Sequence, residues 1–450
     1  MEVIIMNYRK YTDMVEKHKD EILAVERYVW QHPETRFREW NTTKYLADIF
    51  EEAGYTLTYA KDIPGFYTDI ETGKPGPKIL ILGEMDSLIC PNHPEQTNCN
   101  AHACGHNTQC ASLVGIALAL KEPGALEGLS GSIRLCAVPA EELIEIEYRD
   151  SLRKQGLIHY LGGKVEYLYR GYFDGCEIAF MNHAKSVNGF KYDFNNSNGC
   201  MAKTVTYRGV ASHAGGSPDK GVNAMYAATQ GLNAINALRE TFRDDEHVRV
   251  HPIITSGGAS VNIIPSSAVI QSYVRGTTIE SIAANNEKVN RALASGALAL
   301  GAEVTSEDRP GYAPLVNDDG LQKVMWEAAE EIFGRGNVGQ MPWGCGSTDM
   351  GDLSCVMHAV HAHIAGAIGH GHGDDYFIED PYTATVESAA VYMGITRRLL
   401  ENGAERAKEV ASAKNLRFES KEAYFEAINK FMADRDMVKY TESGAEINYR

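Results

Sequence analysis

The sequence predicts an α/β protein: a mostly parallel sheet with helices on both faces, interrupted by an inserted βαββαβ domain of ferredoxin-like type. Three observations carry this. Four continuous apolar runs, KILILGEMDSL, SIRLCAVPAEE, GCEIAFMNHA and MHAVHAHIAGAIGHGHGDD, are bounded by turn residues and read as strands buried on both faces. Each delivers Asp, Glu or His at or just beyond its carboxyl end, where open α/β sheets gather function. Between the third and fourth runs, from about Gly199 to Pro310, the rhythm changes to shorter strands and two helical stretches in the order βαββαβ.

Taken in chain order, TDMVEKHKDEILAVERYVWQHPE reads as a helix capped by Thr12 and stopped at Pro33, and residues 41–53 as a second helix. After the turn at residues 73–77 comes the first buried strand, whose end carries Glu84 and Asp86. The stretch AHACGHNTQC, residues 101–110, precedes an apolar helix beginning near Asn107 or Thr108. The second strand ends in Glu141 and Glu142, and the third at His183. In the inserted domain CMAKTVTYRGVASH, VRVHPIITSG, AVIQSYVRGTT and GAEVTSEDR are strands, with helices over residues 222–242 and 279–300. Helical periodicity at Leu321–Phe333 marks re-entry into the first domain, and His370 and His372 follow its last strand. From about Ala404 the chain is charged and helix-prone. The expected division is therefore 1–197, an insertion at 198–312, and 313–450 with a helical C-terminal extension.

Composition bounds the function. At 450 residues with 44% hydrophobic and 23% charged, the chain is globular and long enough for two or three domains. A net charge of −17 argues against nucleic-acid or anionic-membrane partners. No run approaches the roughly 18 to 20 apolar residues of a membrane span, and MEVIIMNYRK lacks a signal peptide's long apolar core, so a cytoplasmic location is expected. Nine cysteines without framework spacing argue against a disulfide scaffold.

The strand ends carry the chemistry. Cys104 and His106 form a C-x-H pair too short for a zinc-finger knuckle, but thiolate, imidazole and carboxylate together suit Zn²⁺ or a related first-row ion. On a regular strand Glu141 and Glu142 would point to opposite faces. Past the strand end both can face a cleft, where one ligates a metal and its neighbour takes a proton from metal-activated water. His183 reads either as a packed histidine or as a ligand; His370 and His372 compete for one role; His358, His361 and His363 read as packed or surface residues. His213 sits in the Gly-rich turn ASHAGGSPDKGVNA, which lacks the phosphate-loop pattern and reads as a positioned imidazole. Asn262 and Arg275 are either turn and strand-surface residues or binders of a carboxylate.

With MDSL, HACGH, PAEE, SHAGGSPDKGVNA, GGASVNIIP and GSTD in this order, the chain resembles the metal-dependent aminoacylase and carboxypeptidase superfamily. The resemblance is strongest to the amidohydrolase branch of indole-acetyl-amino-acid and aminobenzoyl-glutamate hydrolases, and runs from HPE at 32–34 through GHGDDYFIED at 371–380. It implies a two-metal centre, Mn²⁺ or Zn²⁺, held by Cys104, His106, Glu142, His183 and His372, with Glu141 as general base and Asp86 and Asp349 behind the ligands. His372 is selected over His370 because the family has an aromatic residue four positions after its ligand, which Tyr376 matches. The resemblance further implies that the insertion is a dimerisation (lid) module, with His213 reaching the site of the partner in a homodimer to hold the oxyanion. The implied reaction is hydrolysis of an N-acyl amino acid with a free carboxylate by a metal-bridged hydroxide. A dipeptidase acting on an unusual dipeptide, such as a β-alanyl one, and a non-catalytic metal-binding subunit are the alternatives. The chain departs from the branch at Glu84 and Asn107, each usually Asp, at Gln109, often His, and in a longer, more aromatic segment after Glu142.

Overall fold

The four apolar runs become neighbouring strands of one sheet. In the computed structural model, which describes residues 11–186 and 189–450, the strands Ser132–Val138, Lys78–Glu84, Cys176–Ser186 and His358–Ile368 lie side by side in that order, all parallel. Because they are parallel, their carboxyl ends open on one edge. Antiparallel Phe66–Glu71 and Thr58–Tyr59 extend the sheet beyond Ser132–Val138, and Tyr192–Phe194 and Val338–Gln340 extend it beyond His358–Ile368. Every residue of Ser132–Val138 is buried, as expected for a strand covered on both faces.

The helix His106–Lys121 buries nearly every side chain, packing between Lys19–Gln31 and Ser388–Leu400 over the sheet. An all-round apolar helix belongs in a core, and its position holds its first turn at the strand ends. The start differs from the expectation: residue 11 is already helical, so Thr12 is interior rather than a cap, and the helix breaks at residues 17–18 before resuming as Lys19–Gln31. At that break Lys17 and His18 both turn to the Glu122 carboxylate, at 2.5 and 3.1 Å.

The second compact unit comprises residues 197–315, 344–351 and 422–450. Its antiparallel sheet runs Arg249–Val250, Ser267–Gly276, Gly199–Arg208, Glu303–Tyr312, Ala433–Thr441, Gly444–Ile447, with Ile253–Ser256 also along Ser267–Gly276. The helices Ala224–Leu238 and Ile279–Leu300 complete the βαββαβ order. The chain's end is a correction. After the helix Lys421–Asn429, the terminal segment is a β-hairpin that adds two strands to this sheet, not a helical extension of the first unit. Its physical reason is burial: Met437 and Val438, 0% and 1% exposed, finish this unit's core. The segment 344–351 likewise belongs here rather than with 313–450.

Candidate metal centre

Five side chains converge in the first unit, Cys104 and His106 from the turn that opens the helix His106–Lys121 and Glu142, His183 and His372 from the carboxyl ends of three parallel strands. Cys104, His106 and His183 present donor atoms within 4.8 Å of one another, as do Cys104, Glu142 and His372, so Cys104 is common to two triads. Cys104 Sγ lies 3.3 Å from His183 Nε2, and His372 Nε2 lies 3.2 Å from Glu142 Oε1. Local backbone makes this convergence possible. Gly105, with φ 88°, caps the helix that starts at His106, and a Cβ there would meet Tyr376 Oη at 2.4 Å. The buried Tyr376 ring thus seats against the HACGH turn, its hydroxyl reaching the Cys104 carbonyl at 3.3 Å. His372 is tied to the same turn, its N–H donating to the Ala103 carbonyl at 2.8 Å. His370 faces Asp375 instead.

Hydrogen bonds fix which imidazole nitrogen faces the cluster. His106 Nδ1 is engaged by the backbone oxygen and Oδ1 of Asp86, at 2.9 and 3.2 Å, and His183 Nδ1 by the Ala184 carbonyl at 2.9 Å. Both Nε2 atoms therefore face inward. Asp86 Oδ2 also accepts the Glu142 N–H at 2.8 Å, so one buried carboxylate orients two donors. His106 Nε2 and Glu142 Oε1 are buried without a well-aligned hydrogen-bond partner among the described residues. Buried polar atoms with imperfect hydrogen bonds of this kind have lone pairs to offer an ion. A thiolate, three imidazoles and a carboxylate fit a borderline divalent ion.

Electrostatics agree. Burial and the neighbouring His106 push His183 down to about 4, leaving it neutral and able to ligate. Burial alone raises the Glu142 carboxyl, but His372 outweighs it and holds the group low, while the same carboxylate raises His372. A divalent ion bound here would take the place of such a proton. Glu141, 8% exposed, groups with Glu84 and His106 in a third donor set.

Two of the noted departures prove to be partners of each other. Gln109 Nε2 donates to Glu84 Oε2 at 2.8 Å, and its Oε1 accepts the Glu84 N–H at 3.0 Å. Asn107, the third, donates to the buried Glu26 carboxylate at 2.6 Å. The segment after Glu142 folds into the helices Ile146–Lys154 and Gly163–Tyr169 and carries two fully buried cations that no motif announces, Arg149 and Lys164. Arg149 donates to the carbonyls of Ala140, Glu142, Ile144 and Leu161 and so clamps the PAEE turn. Lys164 pairs with Glu84.

In the second unit, His213 is exposed, and its Nδ1 accepts the N–H groups of Gly215 and Gly216 at 3.1 and 2.9 Å. Asn262 is exposed in the loop between the strands Ile253–Ser256 and Ser267–Gly276; Arg275 lies on the latter strand and donates to Ser347 Oγ at 3.2 Å; Asp349 is fully buried in the segment 344–351.

A parallel α/β sheet with thiolate, imidazoles and paired carboxylates gathered at its carboxyl edge defines the class: an α/β protein with a candidate metal centre. The family model for peptidase family M20/M25/M40 matches residues 80–402, and the chain belongs to that family. It is 30% identical over 315 residues to one of the subunits of p-aminobenzoyl-glutamate hydrolase from Escherichia coli K12, across 67% of this chain and 60% of that one. The chain thus spans less than two thirds of that relative's length. It is 27% identical to the mouse Xaa-Arg dipeptidase across 79% of each. Among solved structures it resembles a putative aminohydrolase from methicillin-resistant Staphylococcus aureus (TM-score 0.68, 20% identity, 86% of this chain and 99% of that one). It also resembles a Bacillus subtilis protein described as a dinuclear metal binding peptidase (TM-score 0.62, 19% identity, 86% and 99%).

Proposed function

We propose that the protein is a two-metal amidohydrolase cleaving the amide between an acyl group and an amino acid with a free carboxylate. The observation that carries this is the pair of donor triads sharing Cys104, with the Glu141 carboxylate beside them. Cys104, His106 and His183 would hold one ion, and Cys104, Glu142 and His372 the other. Two such divalent ions, Mn²⁺ or Zn²⁺, would supply Lewis-acid chemistry to the substrate carbonyl and to the attacking water. Glu141 takes the proton of the attacking water and returns it to the departing amine. His213 is set up as a donor: with Nδ1 accepting two backbone N–H groups, its proton resides on Nε2 and points outward to a carbonyl oxygen that becomes an oxyanion. Arg275 and Asn262 receive the substrate's α-carboxylate.

Two copies act together in this reading. It is supported by the second unit's exposed edge strand Ile253–Ser256 and by exposed Val210, Val261 and Ile263, an apolar surface of the kind that marks interfaces. The similarity to the Xaa-Arg dipeptidase favours a second reading, a dipeptide substrate, which the same centre would serve. Among the described residues no helix is long and apolar enough to cross a membrane.

The test is elemental analysis of freshly purified, reduced protein, run beside a panel of N-acyl amino acids and dipeptides with and without added Mn²⁺ or Zn²⁺. About two ions per chain and metal-stimulated release of an amino acid support the two-metal reading. Cleavage confined to dipeptides selects the second reading, and neither metal nor turnover rejects both.

A further inference from the structure

His106 offers a single inward nitrogen, yet it belongs to two overlapping donor sets. One is the sulfur- and nitrogen-rich set with Cys104 and His183; the other is the oxygen-rich set with Glu84 and Glu141. Since Nδ1 is engaged by Asp86, one Nε2 lone pair must serve whichever ion is bound, and Glu84 Oε2 stands only 3.1 Å from it. Two seats therefore compete for one ion. An ion in the oxygen-rich seat would take Glu141 as a ligand and remove it from proton transfer.

The Glu84 carboxylate is already neutralised from within the protein. The Lys164 ammonium, 0% exposed, pairs with Glu84 Oε1, while Gln109 donates to Oε2. Lys164 arrives from the helix Gly163–Tyr169 of the long segment after Glu142, and its ammonium end is buried against a carboxylate that is itself 1% exposed. A buried ammonium at that distance repels a divalent cation approaching the same carboxylate, and in a low-dielectric interior that repulsion is weakly screened.

We propose that Lys164 is a positioning residue that selects the metal seat: by occupying Glu84 it directs the ion on His106 to Cys104 and His183 and keeps Glu141 outside its ligands. This rests on the two-metal reading above. The oxygen-rich seat, opened by removing the ammonium, suits the harder Mn²⁺, whereas the thiolate–imidazole seat suits Zn²⁺.

The experiment is competition titration of metal-stripped protein with Zn²⁺ and Mn²⁺, comparing the wild type with Lys164→Met, the double variant Lys164→Met/Glu84→Gln, and the single variant Glu141→Gln. Lys164→Met is expected to shift the preference from Zn²⁺ toward Mn²⁺ by about 10- to 100-fold, the usual scale for groups that support ligands. The double variant is expected to return to the wild-type preference. In the wild-type background Glu141→Gln is expected to leave Zn²⁺ affinity within about threefold, far inside that scale. An unchanged preference in folded Lys164→Met overturns the proposal. So does a loss of Zn²⁺ affinity in Glu141→Gln, a readout available even if Lys164→Met does not fold. Wild-type protein that binds neither ion rejects the two-metal reading itself, and the seat selection with it.

Discussion

Two neighbouring carboxylates face different partners and so are suited to different work. Glu142 faces His372 and Cys104, whereas Glu141 groups with Glu84 and His106. Glu141→Gln keeps the side chain's shape and removes the base. It is expected to lower kcat by roughly 100- to 10,000-fold, the usual share of general acid–base catalysis, with metal content retained. Steady-state kinetics beside metal analysis checks this; loss of metal in step with activity would make Glu141 a ligand instead. A second prediction concerns Glu26, whose carboxyl is pushed up to about 7, chiefly by burial, although Arg27 and the Asn107 amide act against the rise. The folded state binds this proton more tightly than the unfolded chain, so the group's stabilising contribution is present below about 4.5 and is lost as pH rises through about 7. Glu26→Gln can still accept from Asn107 but does not ionise. Its melting temperature relative to wild type is therefore expected to be higher at pH 8 than at pH 4.5, and a difference independent of pH would refute the assignment. The candidate donors are legible in the sequence because each lies in a short motif at the end of an apolar run. Lys164 is not legible, because its partner Glu84 is 80 residues distant and only the fold joins them. The Glu84 and Gln109 departures read as separate oddities until their mutual hydrogen bonds make them one feature.

Elements explain why the PAEE turn holds its shape. Ala140 sits at φ 59°, a left-handed conformation that costs a residue with a Cβ about 1 kcal/mol or more. Its N–H donates to Glu39 Oε1 at 3.0 Å, and its carbonyl accepts from Arg149 Nη1 and the Gly163 N–H at 3.0 and 3.1 Å. The helix Gly163–Tyr169 approaches so closely that a Cβ on Gly163 would lie 1.6 Å from the Pro139 carbonyl oxygen. Gly163→Ala must therefore displace either the helix or the turn. An overpacking cost of about 1–3 kcal/mol is expected, measured by denaturant unfolding, together with a fall in kcat. Unaltered stability and turnover would show that the segment does not brace the turn. The parallel strands and the insertion's βαββαβ order are readable from apolar runs and alternation. The C-terminal hairpin escapes that reading: Ala433–Thr441 interleaves charges with its two buried residues, and its pairing with Glu303–Tyr312 is set by an open sheet edge far away in the chain.

For the whole molecule, the open question is whether one chain completes a site. His213 is exposed on the second unit, its Nε2 directed away from the Gly-rich turn that holds Nδ1. If it serves a second copy, two inactive variants must restore each other. His213→Ala is expected to lose about 100- to 1,000-fold in kcat, as removal of an oxyanion donor does. Glu141→Gln is impaired at the other end of the reaction. In a mixed dimer, the chain carrying His213→Ala keeps its own Glu141 and receives an intact His213 from the Glu141→Gln chain, so one of its two sites is whole. Half of the dimers formed from an equal mixture are mixed, so activity is expected to recover to about a quarter of wild type after subunit exchange. Were His213 to act within its own chain, both sites of the mixed dimer would remain defective and no recovery would follow. Light scattering on the same samples separates the remaining case, because a monomer in solution excludes help from a partner whatever the kinetics show.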